Sequence, residues 1–273
     1  MALKKEDGRF VMYDPTWVGN MRDIWSKYET EQEYLLGTPE GEGVRQIPYS
    51  PPEESMIKII STGNILEDGT YRGTFKLQGN GVADSRLRRW LTRSEKGKLD
   101  VYLLEMLSGI NERVELVGCQ HGQLLNFNEN MRFTIDFKIP EYALRIGDGY
   151  EFTSPMMKFA VAHLLAGGSR KWEKERKTDL FFYAASMVTG TETIGLPKGY
   201  QVADPAKSEE IDETYAYFKG DGKMANKRFV IRQTGKIKRR TIPPEGYDGF
   251  KQAMEEAQKY TETVFRAEKG EAK

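Results

Sequence analysis

This chain of 273 residues lacks several features that define common classes of protein. Its single cysteine excludes an intrachain disulfide framework, and one cysteine with two histidines excludes the common four-ligand zinc sites. No apolar run approaches the ~20 residues that span a bilayer. Forty-one basic residues balance forty-one acidic ones, which argues against a dedicated nucleic-acid binder because such proteins usually carry a basic excess. We therefore expect no metal, no cofactor, no nucleic-acid partner and no membrane span.

The remaining composition is typical of a globular protein. Hydrophobic residues make up 38% of the chain and charged residues 30%, whereas disordered chains combine low hydrophobicity with a high net charge. The opening residues Met1–Gly8 become polar at once and contain no apolar core of a signal peptide. If Met1 is the natural start, the sequence predicts a soluble cytoplasmic protein.

Alternating apolar and polar residues predict that strands dominate the fold. Met56–Ile60 and Gly69–Leu77 read as two strands joined by the hairpin signal Glu67-Asp68-Gly69. Further strands are predicted at residues 131–137, 180–188, 211–219 and 228–234. The last two look like a hairpin across Gly220–Lys223. Because the connections are short and no helices alternate with the strands, the pattern favours an antiparallel β-sandwich over a parallel α/β sheet.

Three helices are predicted, two near residues 84–110 and one at the end of the chain. Asp84 can cap a helix that carries Leu87, Trp90 and Leu91 on one face, and Arg86, Arg88, Arg89 and Arg93 are then its wet face. The second helix runs from about Lys98 to Ile110 and has Val101, Leu104 and Leu107 at helical spacing. Pro243-Pro244 suits a helix start, after which one apolar face is formed by Tyr247, Phe250, Met254, Ala257 and Val264. The predicted fold class is mainly β (α+β): an antiparallel β-sandwich with a short helical insertion and a C-terminal amphipathic helix.

Asp14-Pro15-Thr16-Trp17 is the most informative short motif in the chain. It follows a turn signal at Glu6-Asp7-Gly8 and a short strand pattern at Arg9–Tyr13. A carboxylate at a strand end can accept the Nδ1–H of an imidazole, which fixes the tautomer that a Cys-His nucleophile pair needs. The structural alternative is an Asp-Pro turn that only closes the strand.

This succession of turn, strand and Asp14-Pro15-Thr16-Trp17 resembles the end of the transglutaminase-like core, which belongs to the papain-type Cys-His-Asp superfamily. The resemblance implies that Asp14 is the orienting aspartate of a triad whose cysteine and histidine lie upstream of Met1. Four more segments are similar, in the same order, to bacterial multidomain proteins of this superfamily, in which β-rich domains of unknown function flank the core. They are Tyr34–Gly41, Ser50–Glu53, Gly81–Arg88 and Thr241–Phe250.

The resemblance divides the chain into three parts. Residues 1–56 are the C-terminal remnant of the core with its linker, residues 57–243 are the β-sandwich, and residues 244–273 are a helix that packs on it. The chain alone is then a non-catalytic structural or interaction module of a parent whose chemistry is acyl transfer or amide hydrolysis through a cysteine thioester. The implied partners are the catalytic core, in cis or in trans, and a protein or peptide substrate. The family further implies an exported or periplasmic parent.

Three residues within the chain are possible substitutes for the cysteine and histidine of the triad. Cys119 and His121 are two apart in a strand pattern, so they share a face, but a lone cysteine is usually buried and unreactive, and reactivity requires an exposed electropositive setting. His163 lies in an apolar run and is expected to be a partly buried structural histidine. None of the three is predicted to be catalytic.

Two groups of residues leave an alternative interpretation open, the basic run and the aromatic residues. The basic run from Arg228 to Arg240 is expected to be a solvated strand face, and a polyanion-binding face is the alternative. The aromatic residues could line a carbohydrate-binding surface, which would make the chain a free-standing ligand- or carbohydrate-binding β-sandwich, although sandwich core is the simpler explanation.

Overall fold

Strands outnumber helices in the computed structural model, which describes residues 2–8, 10–12, 30–37, 39, 41, 43–93, 98–165 and 172–270. The strands are β1 (Ala2–Lys4), β2 (Phe10–Met12), β3 (Glu33–Leu35), β4 (Val44–Gln46), β5 (Met56–Ile65), β6 (Tyr71–Gly79), β7 (Glu115–His121), β8 (Arg132–Ile139), β9 (Leu144–Ile146), β10 (Gly149–Phe152), β11 (Leu180–Phe181), β12 (Ser186–Gly195), β13 (Tyr200–Val202), β14 (Ile211–Asp212), β15 (Ala216–Ala225), β16 (Arg228–Ile237), β17 (Thr241–Ile242) and β18 (Phe265–Lys269). The α-helices are α1 (Gly81–Arg93), α2 (Leu99–Ser108), α3 (Pro155–Phe159) and α4 (Tyr247–Thr261).

The main element is an eight-stranded sheet in the order β14-β15-β16-β12-β5-β6-β8-β7. Neighbouring strands are antiparallel except at the centre, where β12 runs parallel to β5 and Glu192 lies opposite Ser61. A second sheet of four strands has the order β13-β18-β10-β9. The predicted class, mainly β with a few short helices and a C-terminal helix, is confirmed.

One face of the large sheet is covered and holds the core. Along β5, Ile57, Ile59 and Ile65 are buried while the alternate residues Lys58 and Ile60 are exposed, as expected for a strand with one covered face. Helices α1, α3 and α4 and the small sheet all pack on this side, through the ring contacts Trp90–Phe133, Phe159–Phe75, Tyr260–Phe218 and Phe152–Phe229. The opposite side of the sheet, which we call the outer face, carries no helix among the described residues.

The predicted hairpin turn at Gly220–Lys223 is wrong, because these residues lie inside β15. The turn is Asn226-Lys227, where both residues have positive φ (49° and 59°), the conformation that a two-residue hairpin of the primed type requires. Gly220 is inside the strand because the ring of Tyr260 on α4 packs against it, and a Cβ atom there would lie 2.2 Å from that ring.

Two predicted helix faces also need correction. Helix α4 ends at Thr261, so Val264 lies beyond it and is exposed, and Phe265–Lys269 forms β18 between β10 and β13. In α2 the buried residues are Leu103, Met106 and Leu107, whereas Val101 and Leu104 are exposed. Among the described residues no helix is long and apolar enough to cross a membrane.

Candidate binding groove

A groove of about 720 Å³ lies between helices α1 and α2 and the start of β12. Its floor is apolar, with Ile57, Met106 and Val188 among the residues that line it. The walls are aromatic, formed by Trp90, Tyr102, Phe182 and Tyr183, and the rings of Trp90 and Tyr102 meet edge to face at 6.5 Å. This volume is within the range of small-ligand and peptide side-chain pockets, which is roughly 300–1,000 Å³.

The wall formed by α1 is set by a tight turn directly after β6. Gly81 begins the helix at a φ of +52°, and a Cβ atom there would lie 1.9 Å from the carbonyl oxygen of Glu54. The Asn80 side chain holds the same turn, since its Oδ1 accepts the Met56 N–H at 2.6 Å and its Nδ2 donates to the Glu53 carbonyl at 3.0 Å. The helix therefore leaves the sheet at a defined point beside β5.

The side of α1 away from the groove is anchored by a fully buried ion pair. Arg88 Nε donates to Asp84 Oδ2 at 2.8 Å, and both side chains are essentially without solvent exposure. The Arg88 guanidinium also donates to the carbonyl oxygens of Leu124, Asn126 and Glu129 at 2.5, 3.0 and 2.7 Å. The interpretation of Arg88 as part of a wet helix face is wrong, because a guanidinium can be buried when its donors are all used.

The charges of the groove lie at its rim. Arg86 and Glu105 are exposed, Arg89 is half-buried, and all three line the opening. An apolar floor with guanidinium groups at the edge suits an apolar or aromatic group that carries a carboxylate, because guanidinium pairs strongly with carboxylates. The described lining contains no histidine or cysteine.

Glu192 is a buried acid that the sequence reasoning missed. Its carboxylate accepts hydrogen bonds from Ser61 Oγ at 2.7 Å, from Tyr71 Oη at 3.0 Å and from Ser154 Oγ. Burial raises the pKa of Glu192, although these hydrogen bonds act in the opposite direction, and it raises the pKa of Tyr71 as well. The other buried positions of β12 are apolar or glycine, at Val188, Gly190 and Ile194. A glutamate among them was the feature of the sequence that could have pointed to a buried acid. The acid joins Ser154, the N-cap of α3, to the sheet.

Cys119 and His121 do lie on the same side of β7, opposite Ile135 and Phe133, but they do not form a nucleophile pair. Burial, followed by the negative charges of Asp100 and Asp136, raises the pKa of the Cys119 thiol to about 11. His121 Nδ1 lies 2.8 Å from the carbonyl oxygen of Gly122, its neighbour in the chain. A thiol with such a pKa holds almost no thiolate at neutral pH, and thiolate is the reactive form.

Asp14, the predicted triad aspartate, lies outside the described residues, and so does the side chain of His163.

The basic run from Arg228 to Arg240 has two parts with different surroundings, one within β16 and one beyond it. Phe229 and Ile231 are core residues, while Arg232 is exposed on the outer face. Lys238 and Arg239 form ion pairs beyond β16, with Asp212 at 2.5 Å and Glu31 at 2.8 Å. In the described part of the chain no cluster of three histidine, cysteine or acidic residues could hold a metal ion.

One segment of the chain matches the model of a known protein family. Residues 156–265 match a family described as a domain of unknown function with solved structure (DUF3858), and the match includes β12, β15, β16 and α4. This confirms the prediction of a β-rich domain of unknown function. A crystal structure from Parabacteroides distasonis, described as a candidate protease, is similar over 36% of this chain with 10% identity and a TM-score of 0.33.

The chain spans about a fifth of that solved protein, 19% of its length. No curated protein matches the chain. The presence of a transglutaminase-like core stays a prediction.

Proposed function

We propose that this chain is a non-catalytic interaction module of a transglutaminase-like protein, and that the groove between α1, α2 and β12 receives a segment of a partner protein. In this proposal residues 1–56 are the end of the catalytic core, and Asp14 orients the histidine of that core. The partner segment belongs to the core itself, in cis or in trans, or to a protein or peptide substrate that the module holds near the core.

The groove is the observation that carries the proposal. Its aromatic walls and arginine rim supply anchors of the kind that dominate protein recognition, where tryptophan, tyrosine and arginine are enriched. Two titratable groups among the described residues, Cys119 and Glu192, support a non-catalytic role. The Cys119 thiol has a raised pKa, and the Glu192 carboxylate is enclosed by hydroxyl groups from three segments.

Selection from a library of random 12-residue peptides on the full chain tests the binding part. We expect selected peptides to carry aspartate, glutamate or a free carboxylate beside an aromatic residue, and to lose most of their affinity for Arg86→Glu. Lys198→Glu is the matched control, because Lys198 is exposed beyond the far end of β12, and the strand from Val188 in the groove to Gly195 is about 23 Å long at ~3.3 Å per residue. Equal binding to wild type and Arg86→Glu, or no enrichment at all, would overturn the groove as the site.

The non-catalytic part has a separate test. The chain is incubated with dimethylcasein and a dansylated amine, beside the Cys119→Ser variant. We expect the same background labelling from both. Labelling by the wild type that Cys119→Ser abolishes would show that the chain is itself an acyl-transfer enzyme.

A second candidate function, a free-standing carbohydrate-binding protein, is favoured by two exposed aromatic residues, Phe181 and the groove residue Tyr183. Phe181 is 66% and Tyr183 80% exposed, and aromatic rings on a surface can stack on sugars. A glycan array discriminates the two candidates. Binding to a neutral glycan that Phe181→Ala and Tyr183→Ala each reduce would favour the second candidate, and the first predicts no such binding.

A further inference from the structure

The outer face of the large sheet is positively charged although the whole chain is neutral. Exposed basic residues on this face are Lys58, Arg72, Lys76, Lys219, Lys223 and Arg232. The acidic side chains there are fewer, and the register places one of them, Asp221, directly opposite Arg232. Glu115 pairs with Lys138 at 2.9 Å, and Asp136 accepts a hydrogen bond from Thr74 at 2.5 Å. Among the described residues, Lys58 and Lys76 form no ion pair, and neither has an acidic residue opposite it in the register, so their charges remain available to a ligand.

These cations are arranged in rows that cross the strands at the centre of the sheet. The register places Lys219, Thr234, Thr189 and Lys58 directly opposite one another on β15, β16, β12 and β5. The ends of this row are three strands apart, about 14 Å at ~4.8 Å per strand. The hydroxyl groups of Thr189 and Thr234 lie 3.3 Å apart between them. The row therefore has a cation at each end and hydroxyl groups between them, and the Lys219 end is paired with Glu210 at 2.6 Å.

A second row repeats the arrangement two residues along the strands. Arg232, Thr191, Ile60 and Lys76 lie opposite one another on β16, β12, β5 and β6. The two rows are about 7 Å apart, because two strand residues rise ~3.3 Å each. Their floor includes Thr189 and Thr191 of the central strand β12, both half-buried.

We propose that the outer face binds an acidic polysaccharide that lies across the strands. Its carboxylate groups pair with Lys58 and Lys76, and its sugar hydroxyl groups exchange hydrogen bonds with Thr189 and Thr191. The site is on the opposite side of the sheet from α1 and does not depend on the groove or on the proposed interaction with the core.

Three properties of the face favour this ligand over other polyanions. The rows contain no aromatic residue on which the bases of single-stranded nucleic acid would stack. Neighbouring strands rotate by about 20–25°, so an eight-stranded sheet presents a twisted surface that a flexible polymer can follow and a planar lipid surface cannot. An acidic protein would require several apolar or aromatic anchors at the centre of its interface, where the two rows have threonine and one exposed apolar residue, Ile60.

The test uses the full chain and polygalacturonate as the probe, with binding measured by calorimetry at low and high salt. We expect binding that weakens with salt, and a loss of about tenfold in affinity for the double variant Lys58→Glu/Lys76→Glu, since surface charge pairs are screened by ions. The matched control is Lys198→Glu/Lys259→Glu, which makes the same change of charge away from the outer face and should alter the affinity less than twofold. Circular dichroism and thermal midpoints establish that each variant is folded.

Two further arms separate the polysaccharide from charge alone. Thr189→Val/Thr191→Val preserves the shape and β-branching of both side chains and should weaken polygalacturonate roughly three- to tenfold, the loss of one or two hydrogen bonds. Oligo(dT) and vesicles that contain anionic phospholipid should bind less tightly than polygalacturonate. The proposal is wrong if the probe does not bind, if oligo(dT) or vesicles bind as well, if the valine variant binds normally, or if both charge variants lose affinity equally.

Discussion

Replacing Arg88 with methionine tests whether the buried ion pair organises α1 and the loop at residues 123–129. Methionine keeps the length and flexibility of the side chain, so the cavity that it leaves is small. The change removes the charge that compensates Asp84 and the donors that hold the Leu124, Asn126 and Glu129 carbonyl groups.

The unpaired Asp84 carboxylate dominates the expected loss. It is 1% exposed, and its remaining described partner is the Met131 N–H at 2.5 Å. Breaking a buried pair by removing one partner costs about 3–5 kcal/mol. The carbonyl groups that lose their donor add less to the loss of stability, because water can reach a loop that is partly at the surface, where Leu125 is 67% exposed. For a domain of this size, 1 kcal/mol lowers the thermal midpoint by about 2–4 °C, so the midpoint should fall by roughly 6–20 °C.

Urea unfolding followed by tryptophan fluorescence measures the loss, and hydrogen exchange of the amides at 123–131 locates it. Arg86→Met is the control on the same helix, since Arg86 is exposed and should change the unfolding free energy by less than about 0.5 kcal/mol. Adding Asp84→Asn to Arg88→Met should restore part of the stability, because no unpaired charge then remains. The coupling between the two substitutions should be about 1–3 kcal/mol.

Two results would refute this reasoning. One is a loss for Arg88→Met no larger than that for Arg86→Met. The other is a fully additive double variant, which would mean that the two side chains do not act as a pair.

Three more predictions concern single residues. Burial raises the pKa of Glu192 above 4.5, so the stability that the protonated side chain contributes is fully present below pH 4.5 and is lost as the pH rises through the pKa of the folded state. The unfolding free energy of wild type relative to Glu192→Gln should therefore fall as the pH rises through this range and then become constant. A difference that does not depend on pH would contradict this prediction. Lys227 has a φ of 59°, so Lys227→Gly should stabilise the hairpin by about 0.5–1 kcal/mol, seen as a higher thermal midpoint, whereas a lower midpoint would exclude backbone strain at this turn. Because the pKa of Cys119 is raised to about 11, its reaction rate with an aromatic disulfide should rise nearly tenfold per pH unit from pH 7 to pH 9. A rise of only about threefold between pH 8 and pH 9 would show an ordinary thiol, which is half ionised near pH 8.5.

Much of the β structure was predictable because its determinants are local. The alternation of Tyr71 and Phe75 with Arg72 and Thr74 reflects a strand with one covered face, and Gly69, at a φ of 81°, supplies the turn that precedes it. The helix with Leu87 and Trp90 on its buried face follows from spacing in the same way. Such patterns need no knowledge of the rest of the chain.

The errors occur where a distant segment supplies the reason. Gly220 resembles a turn residue until the ring of Tyr260, forty residues later in the chain, is placed against it. Arg88 is typical of a solvent-facing residue, and its burial depends on carbonyl groups of a loop more than thirty residues away. The choice of Val101 and Leu104 as core residues failed because the orientation of α2 is set by what packs beneath it.

By itself the sequence determined the fold class, the first hairpin of the large sheet and the buried face of the helix that carries Leu87 and Trp90, since composition, periodicity and turn residues act over a few neighbouring positions. The role of Asp14 stays a prediction. Only the tertiary structure decided the parallel pairing of β5 with β12, the enclosure of Glu192 by Ser61, Tyr71 and Ser154, and the groove. The physical reason is that burial and charge pairing depend on which segments meet. Ser61 and Glu192 are 131 residues apart, and no local pattern records that they lie 2.7 Å from each other.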